Sequence, residues 1–175
     1  LRLFVATCMK LRIITTGGTI DKAYFDASSS YQVDAPQIVQ VLNEANVTVE
    51  YVIEQALRKD SLDMTAEDRE NIRQRVVAAP EAHIVITHGT DTMTDTAACL
   101  TDLPGKVIVL TGAMAPAKFQ VSDAVFNIGC AMAAVQLAPP GVYITMNGQI
   151  FPAASVRKNR EKGRFEMIQT SSDAV

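Results

Sequence analysis

The sequence predicts a three-layer α/β fold, a doubly wound and mostly parallel sheet in a single domain. Three observations predict it. Short apolar, β-branched runs alternate along the chain with helix-length segments, the pattern of strands covered on both faces by crossover helices. A length of 175 residues suits one domain of ordinary size. Hydrophobic residues make up 48% of the chain and charged residues 20%, a balance that supports a buried core and excludes the disordered and coiled-coil classes.

The elements follow in order. Leu11–Thr16 is the first strand, stopped by Gly17-Gly18. Polar, Ser-rich Asp21–Gln32 is too long for a tight turn and is expected to form a mobile flap. Pro36–Ala45 reads as a helix with Asp34 as N-cap, and Val47–Ile53 alternates as the second strand. Thr65 with Asp68 three residues later resembles a capping box, opening a helix near Met64-Thr65 that ends before Pro80. His83–Thr87 is the third strand, followed by a helix from about Asp91. Lys106–Thr111 is the fourth strand, Ser122–Ala138 a helix and Val142–Thr145 the fifth strand. Residues 9–168 hold this domain. Residues 1–8 read as an extension ahead of Met9-Lys10, and 169–175 as a tail.

Composition narrows the function classes. Cys8, Cys99 and Cys130 are widely spaced and lack a CxxC or His partner, so neither a disulfide framework nor a zinc site is expected. Ala124–Val156 carries no charged side chain, yet Asn, Gln, Pro and Gly interrupt it. It reads as a buried helix, turn and strand, not a membrane span. Cytoplasmic residence is the default expectation. Arg157, Lys158, Arg160, Lys162 and Arg164 gather in eight residues beside Glu161, in a chain of net charge −3. A single basic rim without interleaved aromatics suits a small anion better than nucleic acid, and a solvated tail is the plainer alternative.

In an open sheet of this kind ligands bind beyond the carboxyl ends of the strands, where strand order reverses. The first and third strands commonly flank that crevice. Here both end in threonine-bearing turns, Thr15-Thr16-Gly17-Gly18-Thr19 and His88-Gly89-Thr90-Asp91-Thr92. Glycines permit sharp reversal and close ligand approach, and the following helix start aims N–H groups at an anion or a developing oxyanion. Neither GxGxxG nor GxxxxGK[ST] is present, so the nucleotide-phosphate fingerprints are not met.

TTGGTID, ITHGTDTMTDTA and VLTGAMAP, in this order and spacing, resemble the bacterial-type L-asparaginases, threonine amidohydrolases of asparagine and glutamine. The resemblance covers roughly Leu11 to Ile168 and corresponds to that family's amino-terminal domain. It implies that Thr19 is the nucleophile and that Tyr31, in SSSYQV, is its activating tyrosine. Thr90 and Asp91 match the second catalytic threonine and its acidic neighbour, and Lys158, in ASVRKNR, the lysine completing that set. Ser61 of KDSLDM resembles the residue that holds the substrate α-carboxylate. Gly18 and Gly89 belong to the substrate-binding turns, and the Ala113 carbonyl in GAM is implied to face the scissile amide. Asp91 is also implied to bind the substrate ammonium.

Chemistry gives the set a reason of its own. A threonine hydroxyl is a poor nucleophile until a base takes its proton, and that base must itself be oriented. Thr90, Asp91 and Lys158 can supply both functions, and the oxyanion can be held by backbone N–H groups. No metal or cofactor is called for. Taken singly, each residue has a plainer reading. Thr19 and Thr90 serve as helix caps, Asp91 as a first-turn acid, Lys158 as a surface lysine, Tyr31 as a half-buried aromatic, and His88 as a donor that stabilises its turn.

The sequence departs from the family pattern at Leu62, where many members have Gln, at Ala115, where many have Arg, and at Ala124, where Gly is usual. The resemblance also stops before the family's second domain, which is expected to be lacking. Weakened recognition of asparagine, or preference for another small carboxamide, is therefore expected, together with a homodimer or higher homo-oligomer to cover an apolar face. The expected ligand is a small-molecule carboxamide, with no nucleic acid and no membrane as partner. The competing reading is a non-catalytic amino-acid-binding or regulatory module that retains the same pocket.

Overall fold

The structure, a computed structural model, describes residues 9–25, 30–33 and 35–168, with the backbone alone for 23–25 and 30–33. In chain order the elements are β1 (Lys10–Gly17), β2 (Lys22–Phe25), β3 (Ser30–Val33), α1 (Ile38–Glu44), β4 (Glu50–Lys59), α2 (Ala66–Ala78), β5 (His83–Thr87), α3 (Met93–Ala98), β6 (Val107–Thr111), α4 (Ala124–Leu137), β7 (Gly141–Met146), β8 (Gln149–Pro152), β9 (Val156–Asn159) and β10 (Arg164–Met167). One six-stranded sheet has the order β4-β1-β5-β6-β7-β8. Its first five strands are parallel and β8 is antiparallel to β7. The expected doubly wound sheet is present, and β1 and β5 lie side by side where strand order reverses.

Alternation along the strands sorts side chains into two cores. Leu11, Ile13, Val85, Val107 and Val109 pack toward Ile38 and Leu42 of α1 and Ile128 and Val135 of α4. Ile14, Ile84, Ile86, Ile108 and Leu110 face Ile72 and Val76 of α2 and Met93 and Ala97 of α3. Three layers result because β5 and β6 are apolar on both faces, as strands covered twice must be.

The path through these layers has one irregular step. From β1 the chain moves one way to β4 through α1. It then returns across β1 to β5 through α2, and continues in that direction to β6 through α3 and to β7 through α4. With one fixed hand, opposite steps place their helices on opposite faces. α1, α2 and α3 obey this, but α4 shares the face of α1 although its step runs with those of α2 and α3. The β6–α4–β7 crossover therefore has the hand opposite to the other three, against the strong preference for a single hand. The consequence is local. The loop leading into α4 lies on the same side as the turn after β1, where Ala117 N–H donates to Ile20 O at 3.1 Å.

Several sequence expectations are corrected here. The second parallel strand is Glu50–Lys59 rather than Val47–Ile53, because Asn46 turns the chain at φ 48° and the strand continues past Ile53 through Glu54, Arg58 and Lys59. A charged sheet edge carries no apolar alternation to mark its length. α1 begins at Ile38, and Asp34 lies outside the described residues. The Gln37 N–H is taken instead by Asp21 Oδ1 at 2.8 Å. The expected flap contains two antiparallel strands, β2 and β3, with residues 26–29 outside the described residues. The bounds expected at 1–8 and 169–175 also fall outside them. Among the described residues no helix is long and apolar enough to cross a membrane.

The capping box of α2 is formed as expected. Thr65 Oγ1 accepts from Asp68 N–H at 3.2 Å, and Asp68 Oδ2 accepts from Thr65 N–H at 2.9 Å. Thr65→Ala is expected to lower stability by about 1 kcal/mol, read as a fall in Tm of about 2–4 °C; an unchanged Tm would show that the box contributes nothing.

Candidate active site

The site is built from loops at the carboxyl ends of β1, β4, β5 and β6. After β1 the backbone passes through Gly18 at φ 90° and enters a single 3-10 turn over Thr19–Asp21. Two hydrogen bonds tie this turn to its neighbours: Gly18 N–H donates to Lys59 O at 2.9 Å, and Thr16 Oγ1 donates to Thr87 O at 2.9 Å. The approach is close enough to decide residue identity. A methyl group on Gly18 would collide with the backbone of Gly89, and one on Gly89 would collide with Ser61 Oγ. The two threonine-bearing turns therefore abut, and Thr19 and Thr90 are the next residues along each of them.

Lys158 meets Thr90 and Asp91. It stands on β9 opposite Phe165 of β10, and the buried Val156 and Phe165 anchor this hairpin in the α2–α3 core. Its Nζ lies 2.7 Å from Thr90 Oγ1 and 2.9 Å from Asp91 Oδ1. The Lys158 side chain is 16% exposed and that of Asp91 30%, while Thr90 is buried. Arg160 adds a second cation, its Nη2 3.6 Å from the same Asp91 oxygen. A hydroxyl and a carboxylate held on one amine are groups able to move a proton at this point.

Ser61 opens a 3-10 turn after β4 and is buried, with no partner for its hydroxyl. Its carbonyl accepts from Thr92 Oγ1 at 2.8 Å, which binds the β4 and β5 loops together. α3 begins at Met93, with Thr92 as its N-cap, and not near Asp91. The preceding Asp60 pairs with Lys22 at 2.6 Å. Burial raises its carboxyl, but hydrogen bonds from Lys22 and from the Leu62 N–H outweigh that and hold it below the usual carboxylate range. Ala113 is fully buried in the loop after β6. Tyr31 is in register with Tyr24 on the β2–β3 hairpin, and its side chain lies outside the described residues.

His88 acts on the turn from beneath. Its Nδ1 is 2.7 Å from Gly89 O and its Nε2 2.8 Å from Thr96 Oγ1. A carbonyl only accepts, so Nδ1 carries the proton and the neutral Nε2 accepts from the threonine. Full burial pushes its pKa down to about 4 against the opposing bond to Gly89 O. It is the turn-stabilising donor that its position suggested.

The sequence reading did not single out Thr16, Thr92 or Arg160. Thr16 and Thr92 stand inside the two turn motifs, yet nothing in sequence distinguishes a hydroxyl that links two loops from one facing solvent. Arg160 was visible only as part of a basic run.

The family description "Asparaginase, N-terminal" matches residues 10–172. The chain is 32% identical over 163 residues to the L-asparaginase of Thermococcus kodakarensis, a match that covers 89% of this chain and 49% of that one. It is also 32% identical over 163 residues to the glutaminase-asparaginase of Acinetobacter glutaminasificans, covering 83% and 48%. The solved structure of the thermostable L-asparaginase from Thermococcus kodakarensis superposes with a TM-score of 0.77 at 28% identity, covering 91% of this chain and 51% of that one. The chain spans about half the length of the relatives it matches.

The His88 environment gives a pH prediction. Its folded pKa lies below the unfolded value of about 6.5, so its contribution is fully present above that pH and is lost as pH falls toward 4. The loss is about 3 kcal/mol. Urea unfolding at pH 7 and pH 4 is expected to show that His88→Asn lacks this one-proton dependence; the same dependence in both proteins would contradict a buried neutral ring.

Proposed function

The chain belongs to the asparaginase family, matching its amino-terminal domain, and on that footing we propose that it releases ammonia from L-asparagine or a related small carboxamide with Thr19 as nucleophile. The observation that carries this reading is the Lys158 ammonium placed on both Thr90 Oγ1 and Asp91 Oδ1, beside the turn that holds Thr19.

In the proposed reaction Thr19 Oγ attacks the carboxamide carbon. The proton it loses passes through Tyr31 or the Thr90–Asp91–Lys158 set and reaches the leaving nitrogen. The C–N bond breaks, ammonia departs and an acyl-threonine remains. Water then attacks the acyl carbon, giving the carboxylic acid and restoring the threonine hydroxyl. Ser61, whose hydroxyl is buried without a partner, donates to the substrate carboxylate, and the Ala113 carbonyl orients the amide nitrogen. Gly18 and Gly89 contribute to substrate binding by letting their two turns and Ser61 pack together around it. The alternative carboxamide is supported by Asp91, whose Oδ1 already faces two cations, and by Leu62, an exposed apolar side chain beside Ser61. One missing charge-assisted hydrogen bond weakens asparagine binding about 10- to 150-fold.

Ammonia release over a panel of small carboxamides tests the proposal. Thr19→Ala is expected to abolish turnover, and Lys158→Met to slow it by about 10²–10⁴. Equal rates for Thr19→Ala and the parent protein would refute the assignment. Ligand-induced thermal stabilisation with no ammonia formed would favour the amino-acid-binding module instead.

A further inference from the structure

We infer that Asp123 is a positioning residue, which fixes the loop carrying the Ala113 carbonyl and so sets where the amide nitrogen of the substrate lies. The inference rests on the amidohydrolase reading for its catalytic meaning, but its geometry stands apart from it.

Asp123 occupies the position before the first turn of α4, where an acidic residue ordinarily caps its own helix. It does not do so: its side chain makes no capping bond. Ser122 Oγ accepts from the Ala124 N–H at 3.1 Å instead, and donates to Ala115 O at 3.0 Å. The Asp123 carboxylate turns back onto the loop. Oδ1 accepts from Met114 N–H at 3.0 Å and from Ala115 N–H at 3.1 Å, while Oδ2 lies 3.0 Å from the same Met114 nitrogen. Asn127, one turn further along α4 and buried, completes the clamp. Its Nδ2 donates to Asp123 Oδ2 at 2.8 Å and to Gly112 O at 3.0 Å.

The residues on either side of Ala113 are thus held, Gly112 by its carbonyl and Met114 by its N–H, which leaves the peptide groups of Ala113 little freedom to rotate. Bonds from a carboxylate to backbone N–H groups are charge-assisted and stronger than neutral ones. The same loop is stitched to the nucleophile turn through Ala117 N–H and Ile20 O. A carbonyl that aligns a reacting group tolerates little displacement, and an error of about 1 Å costs about 100-fold in rate.

The test pairs kinetics with hydrogen exchange on the full chain. Asp123→Ala is expected to lower kcat about 100-fold with KM changed less than about threefold, and to speed exchange at the Met114 and Ala115 amides while core strands stay protected. Asp123→Asn keeps one oxygen for both N–H groups and is expected to recover most of kcat; it also serves if the alanine variant fails to fold. Unchanged kcat in Asp123→Ala of an active protein overturns the positioning role, as does unchanged exchange at Met114 and Ala115 in that variant; if only Asp123→Asn folds, a lowered kcat with unchanged exchange at those amides overturns it. A parent protein that releases no ammonia overturns the amidohydrolase reading instead, and faster exchange in the variants then still supports Asp123 as the residue that fixes this loop.

Discussion

The contact on which the rest of the structure depends is backbone against backbone. Gly18 lies so close to the backbone of Gly89 that it has no space for a side chain, Gly89 is closed in the same way by Ser61, and the first approach joins two loops whose sequences lie about seventy positions apart. Everything proposed for the site follows from it. Thr19 and Thr90 follow the two abutting glycines, and Lys158 stands on Thr90 and Asp91 of the second turn. The cost of such proximity is borne by the fold. Parallel pairing of β1 with β5 brings the ends together in register, Thr15 opposite Thr87, and Thr16 closes the gap with a hydrogen bond to Thr87 O. His88, neutral and buried, fixes the Gly89 carbonyl from the other side. Loop positions are set by a rigid scaffold, as a site that aligns reacting groups requires.

The reversed hand of the β6–α4–β7 crossover has a functional place in the same scheme. On the α2–α3 face, α4 would lie across the sheet from the turn after β1. On the α1 face its first residues lie over that turn, so Ser122, Asp123 and Asn127 can hold the loop that connects back to Ile20. An unusual topological step and an acidic residue that does not cap its own helix are then two aspects of one arrangement, which ties a third loop to the turn after β1.

Much of this was legible in the sequence, for physical reasons that differ by region. β5 spans His83–Thr87 as read, because a strand buried on both faces must be continuously apolar and its ends are marked by turn residues. Thr65 and Asp68 announced the start of α2 because a capping box is a local interaction. β9 and β10 were not foreseen: at four residues each, antiparallel and charged, they look like the basic rim they also form. β2 and β3 were obscured by the run of serines between them. The hand of the last crossover left no trace, since α4 is uncharged along its whole length and offers no polar face to say which side is out. For the site, the motifs carried the turns and Lys158. Thr16 and Thr92, which hold those turns in place, were illegible because their bonds join segments distant in sequence, and Asp123 and Asn127 because nothing in the sequence tells a carboxylate that clamps its own loop from one that caps its helix.

Covalent capture during turnover tests the account most directly. Intact-mass analysis of protein quenched while hydrolysing a carboxamide, followed by peptide mapping, is predicted to find an acyl group on the peptide containing Thr19, absent in Thr19→Ala and strongly diminished in Lys158→Met. An acyl group on any other residue, or ammonia released at the parental rate by Thr19→Ala, would contradict it.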